Sequence, residues 1–319
     1  MVPQTAWKRS KLMTHKPETN LSVVIPTYNR ADDLMACIES LVKAGIPIQQ
    51  VIIVDNHSAD DTVQRVNKTY PDAILIPLED NKGATGASNI GFERALELGA
   101  EFILRLDSDT VVAPDFLEPL LDGAAQNPQV GIIAPKIYYY NPSDEIWYAG
   151  ADTHPWHFGT INGHRHEKDA PENSAVREVD YAWGAAMLIH SEVLRKTNGF
   201  DPDFFVYYEE VDFCQRVQKL GYKILYSPEA RIWHKVGSSV NSSWTAYHWN
   251  RSKMLFYRKH ARSSTHYLSL VAYAFSYALI DAALKFLQIR KKSGNRGPLK
   301  DALRGLWDGF HEPRSDQKG

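Results

Sequence analysis

Two carboxylates separated by one residue, Asp107 and Asp109, close the apolar run Phe102-Ile103-Leu104-Arg105-Leu106. A strand ending in paired acids brings hard oxygen ligands to the rim of a sheet, where open α/β proteins bind their ligands. Mg²⁺ or Mn²⁺ with diphosphate oxygens is the natural occupant of such a pair. The ion would neutralise charge developing on a departing nucleoside diphosphate. Another acidic cluster, Glu209-Glu210-Val211-Asp212, lies far along the chain. A carboxylate there, Glu210 in preference to Glu209 or Asp212, could deprotonate an acceptor hydroxyl. The same acids also suit the first turn of a helix, and Asp212 with Arg216 makes an i, i+4 pair. For Asp212 that structural role accounts for the pattern equally well. His234, in Arg231-Ile232-Trp233-His234-Lys235, is a lone histidine of the kind that is usually structural, but two aspartates leave metal positions that it could fill.

Other polar residues stand at the ends of apolar runs. Asp55, in Val54-Asp55-Asn56-His57-Ser58, can accept hydrogen bonds from a nucleobase or ribose, or form an Asx turn capping the helix near Asp60. The stretch Asn81-Lys82-Gly83-Ala84-Thr85-Gly86-Ala87-Ser88-Asn89 opens a long helix with small residues. Free backbone N–H groups at a helix start suit phosphate, and glycine lets a ligand approach closely. It is neither a Walker loop nor a GxGxxG fingerprint, and Asn89 could equally satisfy a buried backbone group.

The elements that must position these residues alternate. Apolar runs at 21–25, 51–54, 73–76, 101–106 and 130–134 read as strands buried on both faces. Helical patterns follow at Leu34, Ile38, Leu41 and Val42, then at 61–68, 85–98 and 114–125. Short connections between them predict an α/β fold with a mostly parallel, doubly wound sheet. Residues 137–180 are rich in Tyr, Trp, His, Gly and Pro and read as hairpins and loops over one face, where an acceptor would bind. A helix over 209–220 and a strand over 222–226 complete this body.

The chain of 319 residues has a net charge of −2 that conceals an asymmetry: residues 251–319 carry 14 Lys and Arg against 5 Asp and Glu, +9, leaving −11 for the rest. An acidic body with a basic tail suits docking on an anionic membrane, and no nucleic-acid-binding pattern accompanies the cations. Residues 267–280 form an uncharged run too short to span a bilayer. Leu268, Val271, Ala272, Phe275, Leu279, Ala282 and Phe286 fall on one helical face, followed by Arg290-Lys291-Lys292. A second amphipathic pattern runs through Leu299, Leu303, Leu306, Trp307 and Phe310. Apolar faces beside cations predict interfacial helices, with packing on the body or a homo-oligomer built through these helices as the alternative. Two cysteines, Cys37 and Cys214, give no disulfide framework, and the polar, basic first twenty residues lack a signal-peptide pattern. A flexible N-terminal arm (1–20) and a cytoplasmic location, at the cytoplasmic face of the membrane, are expected.

Taken together, Val23-Val24-Ile25-Pro26-Thr27-Tyr28-Asn29-Arg30, Ile53-Val54-Asp55-Asn56-His57-Ser58, residues 81–91, residues 106–110, Gly184-Ala185-Ala186-Met187, residues 205–216 and Trp233-His234 resemble glycosyltransferase family 2. Members of that family are inverting enzymes with a GT-A fold, and the likeness is to its rhamnosyltransferase-like and galactofuranosyltransferase-like members. It implies a catalytic domain over 21–243, with a nucleotide-sugar half (21–134) and an acceptor half (135–243), and a C-terminal helical segment over 244–319. Pro26, Thr27, Tyr28, Asn29, Arg30, Asn56, Lys82, Gly83 and Asn89 would line the donor. Asp55 would hold the nucleobase, and Asp107, Ser108 and Asp109 the ribose, diphosphate and metal, with His234 completing the metal site. Trp183, Gly184 and Ala185 would face the acceptor, a polysaccharide or lipid-linked saccharide. Glu210 stands where the family usually has an aspartate base, so Glu209 or Asp212 could share the role. dTDP-rhamnose, then a UDP-sugar, is the expected donor. A sugar-phosphate nucleotidyltransferase would need a Gly-rich loop after the first strand, which Pro26-Thr27-Tyr28-Asn29 is not. A non-catalytic nucleotide-sugar-binding module would bind the donor without turnover.

Overall fold

The computed structural model describes residues 20–161, 165–236, 242–286 and 299–312. The expected N-terminal arm, Asn20 apart, and Arg290-Lys291-Lys292 lie outside the described residues.

Runs of Val, Ile and Leu bounded by Pro, Asn and Gly build the first half as alternating units. They are β1 (Leu21–Thr27), α1 (Ala31–Lys43), β2 (Val51–Asp55), α2 (Thr62–Thr69), β3 (Ile74–Pro77), α3 (Gly83–Glu97) and β4 (Phe102–Leu106). After these come β5 (Thr110–Val112), α4 (Leu117–Ala125), β6 (Val130–Tyr139), β7 (Ile146–Tyr148), β8 (Asp152–Thr153), β9 (Thr160–Ile161) and β10 (Arg177–Glu178). Then follow β11 (Ala186–His190), α5 (Ser191–Thr197), α6 (Glu209–Lys219) and β12 (Lys223–His234), and three helices end the chain: α7 (Ser242–His260), α8 (Ser264–Phe286) and α9 (Leu299–His311).

The main sheet runs β10-β12-β6-β11-β4-β1-β2-β3, with β5 on β12 and β7 on β6. Pairings are parallel from β4 through β1 and β2 to β3, and again between β6 and β12. One strand the sequence did not announce, β11, sits antiparallel between β4 and β6. The strands β6 and β12 are also longer than the expected 130–134 and 222–226, so the boundary drawn at residue 134 falls inside β6. Their pairing continues to His234 opposite Tyr139, across a register shift between Ser227 and Arg231.

A large core surrounds the sheet, and a smaller one forms where the C-terminal helices meet it. Met254, Leu255, Phe256 and Tyr257 of α7 pack with Leu270 and Ala274 of α8, Leu306 of α9 and Phe204 from the loop before α6. Helix α9 lies close against α7: a Cβ on Gly305 would come within 2.2 Å of the Tyr247 carbonyl oxygen, and one on Gly309 within 2.5 Å of that of Arg251. Helix α8 docks through Leu270 and Ala274, with Val271 and Phe275 of the expected apolar face packed alongside, leaving Leu268 and Leu279 of that face, and Ile280 beside it, exposed. An almost wholly apolar helix carries no periodicity strong enough to mark its docked face.

Candidate active site

The carboxyl ends of β1, β2 and β4 converge on one rim of the sheet. Strand β4 ends in Leu106, and the turn beyond it carries Asp107, Ser108 and Asp109 into β5. That short strand pairs antiparallel with β12 so that Thr110 lies opposite His234. Sheet register thus brings a histidine from far along the chain to the aspartate pair. His234 Nε2 is 3.1 Å from an Asp109 carboxylate oxygen and 3.9 Å from one of Asp107. One potential ligand atom from each of the three residues lies within 4.8 Å of the others. Burial pushes the Asp109 carboxyl up, but the hydrogen bond and charge of His234, with Arg30 at 3.7 Å, hold it below the usual carboxylate range. Two oxygens and an imidazole nitrogen fit Mn²⁺ well and Mg²⁺ acceptably, since nitrogen ligands favour the transition metal. His234 Nδ1 is enclosed without a hydrogen-bond partner among the described residues.

Arg105 is the residue that reading the sequence missed. It is 3% exposed in β4, yet it is charged. Buried arginines are rare unless paired, and this one pairs twice. Its Nη1 lies 2.6 Å from an Asp107 carboxylate oxygen and donates to the Gly184 carbonyl. A charge inside an otherwise apolar strand was the available signal.

Glu209 and Glu210 start α6 behind this arginine. The turn leading to them is strained: Tyr207 and Tyr208 both have left-handed backbones, with φ of 65° and 69°. Such conformations cost energy and persist only where surroundings over-determine them. Here Ser252 of α7 donates to the Val206 carbonyl at 2.8 Å, and the Trp249 ring packs on both tyrosines at 5.3 and 5.2 Å. Glu210 lies against Gly184, whose Cβ position is 3.6 Å from the Glu210 side chain. One carboxylate oxygen of each glutamate is enclosed with no partner among the described residues. Burial, then the neighbouring Glu210 charge, push the Glu209 carboxyl up to about 8, and burial raises Glu210 as well.

Asp212 does not belong with them. It is wholly buried and saturated, with Arg216 Nε and Lys259 Nζ each at 2.7 Å and His260 Nε2 at 2.8 Å. Burial alone would raise its carboxyl, but the His260 bond and the Arg216 and Lys259 charges bring it down to about 2. An acid so tightly held is a poor base, and its ion pairs tie α6 to α7, the structural role that the sequence also allowed.

Pro26, Thr27, Tyr28, Asn56 and Gly83 line a cleft of about 400 Å³ whose wall also includes Arg105 and Asp107. Asp55, at the end of β2, accepts from Ser58 N through one oxygen while the other is enclosed without a partner among the described residues. Asn56 braces the 81–83 turn, donating to Asn81 and the Gly83 carbonyl and accepting from Lys82 N. Gly83 needs its freedom, because φ is +73° and a Cβ would meet the Phe205 carbonyl oxygen at 2.2 Å. Asn29 and Arg30 line a neighbouring hollow, where Asn29 accepts from Ala59 N. Lys82 turns outward to Asp80. The Asn89 amide exchanges two 2.8 Å bonds with the Phe200 backbone, the bracing role offered as the alternative to a donor contact. Ser108 is buried between the two aspartates. On the other side Ala185 accepts from Asp107 N, and Trp183 meets Trp147 edge to face at 5.3 Å with the Arg165 guanidinium over both rings.

Comparison with known proteins agrees with this arrangement. The family model described as glycosyl transferase family 2 matches residues 22–196. Over 246 residues the chain is 25% identical to the N-acetylglucosaminyl-diphospho-decaprenol L-rhamnosyltransferase of Mycobacterium tuberculosis, covering 69% of this chain and 77% of that protein. It is similar in structure to the mannosyltransferase PcManGT of Pyrobaculum calidifontis, solved with GDP-Man and Mn²⁺, at TM-score 0.56 and 15% identity over 92% of this chain and 87% of that one. GalNAc-T7, solved with UDP, GalNAc and Mn²⁺, superposes at TM-score 0.55 and 17% identity over 77% of this chain, which spans about half (52%) of that longer chain. These structural likenesses are of fold, and the fold is GT-A.

Proposed function

This chain belongs to glycosyl transferase family 2 and is a glycosyltransferase, and on that premise we propose that it transfers a hexosyl group, with inversion, from a nucleoside diphosphate sugar to a saccharide hydroxyl. One observation carries the reading. Glu209, buried, and Glu210, half-buried, each with one carboxylate oxygen unpartnered among the described residues, stand beside Arg105 and Gly184, next to a nucleotide-sized cleft and an Asp-x-Asp and histidine cluster.

Glu210 takes the proton of the acceptor hydroxyl as its oxygen bonds to the anomeric carbon and the bond to the diphosphate oxygen breaks on the opposite face. Asp107, Asp109 and His234 would hold Mn²⁺ or Mg²⁺, which when bound offsets charge on the leaving diphosphate. Arg105 ties Asp107 to the Gly184 carbonyl and so fixes the donor rim relative to the acceptor loop. The free oxygen of Asp55 accepts from base or ribose. Trp183, with Gly184 and Ala185, faces the acceptor, and Glu209 shares the proton load of Glu210. In this reading residues 21–134 serve the donor and 135–243 the acceptor.

The likeness to a rhamnosyltransferase supports dTDP-rhamnose as donor, ahead of a UDP-sugar, and its decaprenol-linked substrate supports a lipid-linked acceptor. Among the described residues no helix is long and apolar enough to cross a membrane. Instead Leu268, Leu279 and Ile280 of α8 and Trp307 of α9 stand exposed, with Arg304 also largely exposed. We read this face as peripheral contact with an anionic membrane at its cytoplasmic side. The test is a panel of dTDP- and UDP-sugars with Mn²⁺ or Mg²⁺, scored for release of nucleoside diphosphate, beside Asp109→Ala. Release from one donor, lost in the variant, is expected; donor binding without release across saccharide and lipid-linked acceptors would overturn the catalytic reading.

A further inference from the structure

We propose that Trp244, carried by the C-terminal helix α7, is a donor-binding residue whose indole walls the nucleotide cleft and packs on the bound nucleoside diphosphate. The inference rests on the family reading above and adds to the donor site a residue from beyond the conventional nucleotide half. The cleft has two unlike linings. The end of β1 and the Gly83-Ala84 turn give it polar backbone, and Phe205, which touches that turn, continues with Val206 and Trp244 as its apolar lining. Arg105 and Asp107 supply its charged groups.

Trp244 is 40% exposed, yet it is held in place. His248, one turn on, packs against it at 4.3 Å and itself stacks on Phe205 at 5.3 Å. Tyr207 meets the same indole edge to face at 6.1 Å. Burial, then the Arg251 charge, lower the His248 ring to about 4, so the support beneath the indole is uncharged at neutral pH. A rigid, uncharged aromatic plate at the mouth of a polar cleft loses little conformational freedom on binding. Every nucleobase presents a face that such a plate can cover. Packing within the small core does not explain the position, since Trp244 is no part of that cluster.

Calorimetric titration of UDP, dTDP and GDP, each with Mn²⁺, into the full chain tests this. Wild-type protein should bind at least one of the three, and Trp244→Ala should weaken that affinity by roughly tenfold or more, in line with the loss of one base–aromatic stack. The exposed Trp156→Ala serves as a control and should bind as wild type does. Trp244→Phe, the variant least able to disturb folding, should keep most of the affinity but lose part of the quenching of intrinsic fluorescence on nucleotide addition. Equal affinity in Trp244→Ala, or unchanged quenching in Trp244→Phe, would overturn the inference and leave the family reading intact. If wild-type protein bound none of the three, the donor reading would fall, and this inference with it.

Discussion

Glu209 and Glu210 share a burial that disfavours charge on both at once. A carboxyl raised by its fold is protonated where the unfolded chain would be ionised. Its stabilising contribution is therefore present below the unfolded value of 4.5 and is lost as pH rises through about 8 for Glu209. The basic form needed for catalysis grows over the same window. Burial raises the Glu210 carboxyl as well, so the transfer rate should climb as pH rises above the ordinary carboxylate range, while the melting temperature declines as Glu209 ionises toward about 8. Glu210→Gln should lower kcat by about 10² to 10⁴ with little change in donor KM. A variant with wild-type kcat would remove Glu210 from the role of base. The rim acids Asp55, Asp107 and Asp109 were legible in the sequence because they stand just beyond largely apolar runs. Arg105 was not, because a single charge inside such a run looks like an exception until its partners are known.

At the scale of elements, α6 is held from two directions. Its start hangs from the strained Tyr207-Tyr208 pair, and the same first turn is bolted to the end of α7 through Asp212. Removing one member of a buried ionic cluster costs about 3–5 kcal/mol, because the remaining charges lose their counter-ion. Asp212→Asn should therefore lower the urea midpoint markedly at neutral pH. The Asp212 contribution is present above 3.8 and is lost as pH falls through about 2, so the deficit should shrink in strong acid. An unchanged midpoint would mean the cluster does not hold the two helices. Periodicity placed α6 to within a residue but could not tell Glu210 from Asp212, since both occupy its first turn. The difference lies in Lys259 and His260, which tertiary packing supplies. Strand β11 escaped notice because its few apolar residues follow the aromatic-rich stretch, where strand and loop share the same composition.

Over the whole molecule, sequence charge separates an acidic body from a basic tail, whereas packing does not separate them at all. The C-terminal helices share a core with Phe204, and Trp249 and Ser252 brace the turn that leads to α6. The boundary expected near residue 244 is thus one of composition only.

That shared core is small beside the one around the sheet, and this sets how the enzyme should fail. Units with few buried apolar contacts open first on warming. Releasing α7 would free the left-handed turn to relax and carry Glu210 away from Gly184 while the sheet still stands. Heat-challenged protein should therefore lose turnover together with the first part of its helical far-ultraviolet dichroism, several degrees before the sheet melts. Its working lifetime would then be governed by the durability of a helical clasp and not by that of the nucleotide-binding sheet.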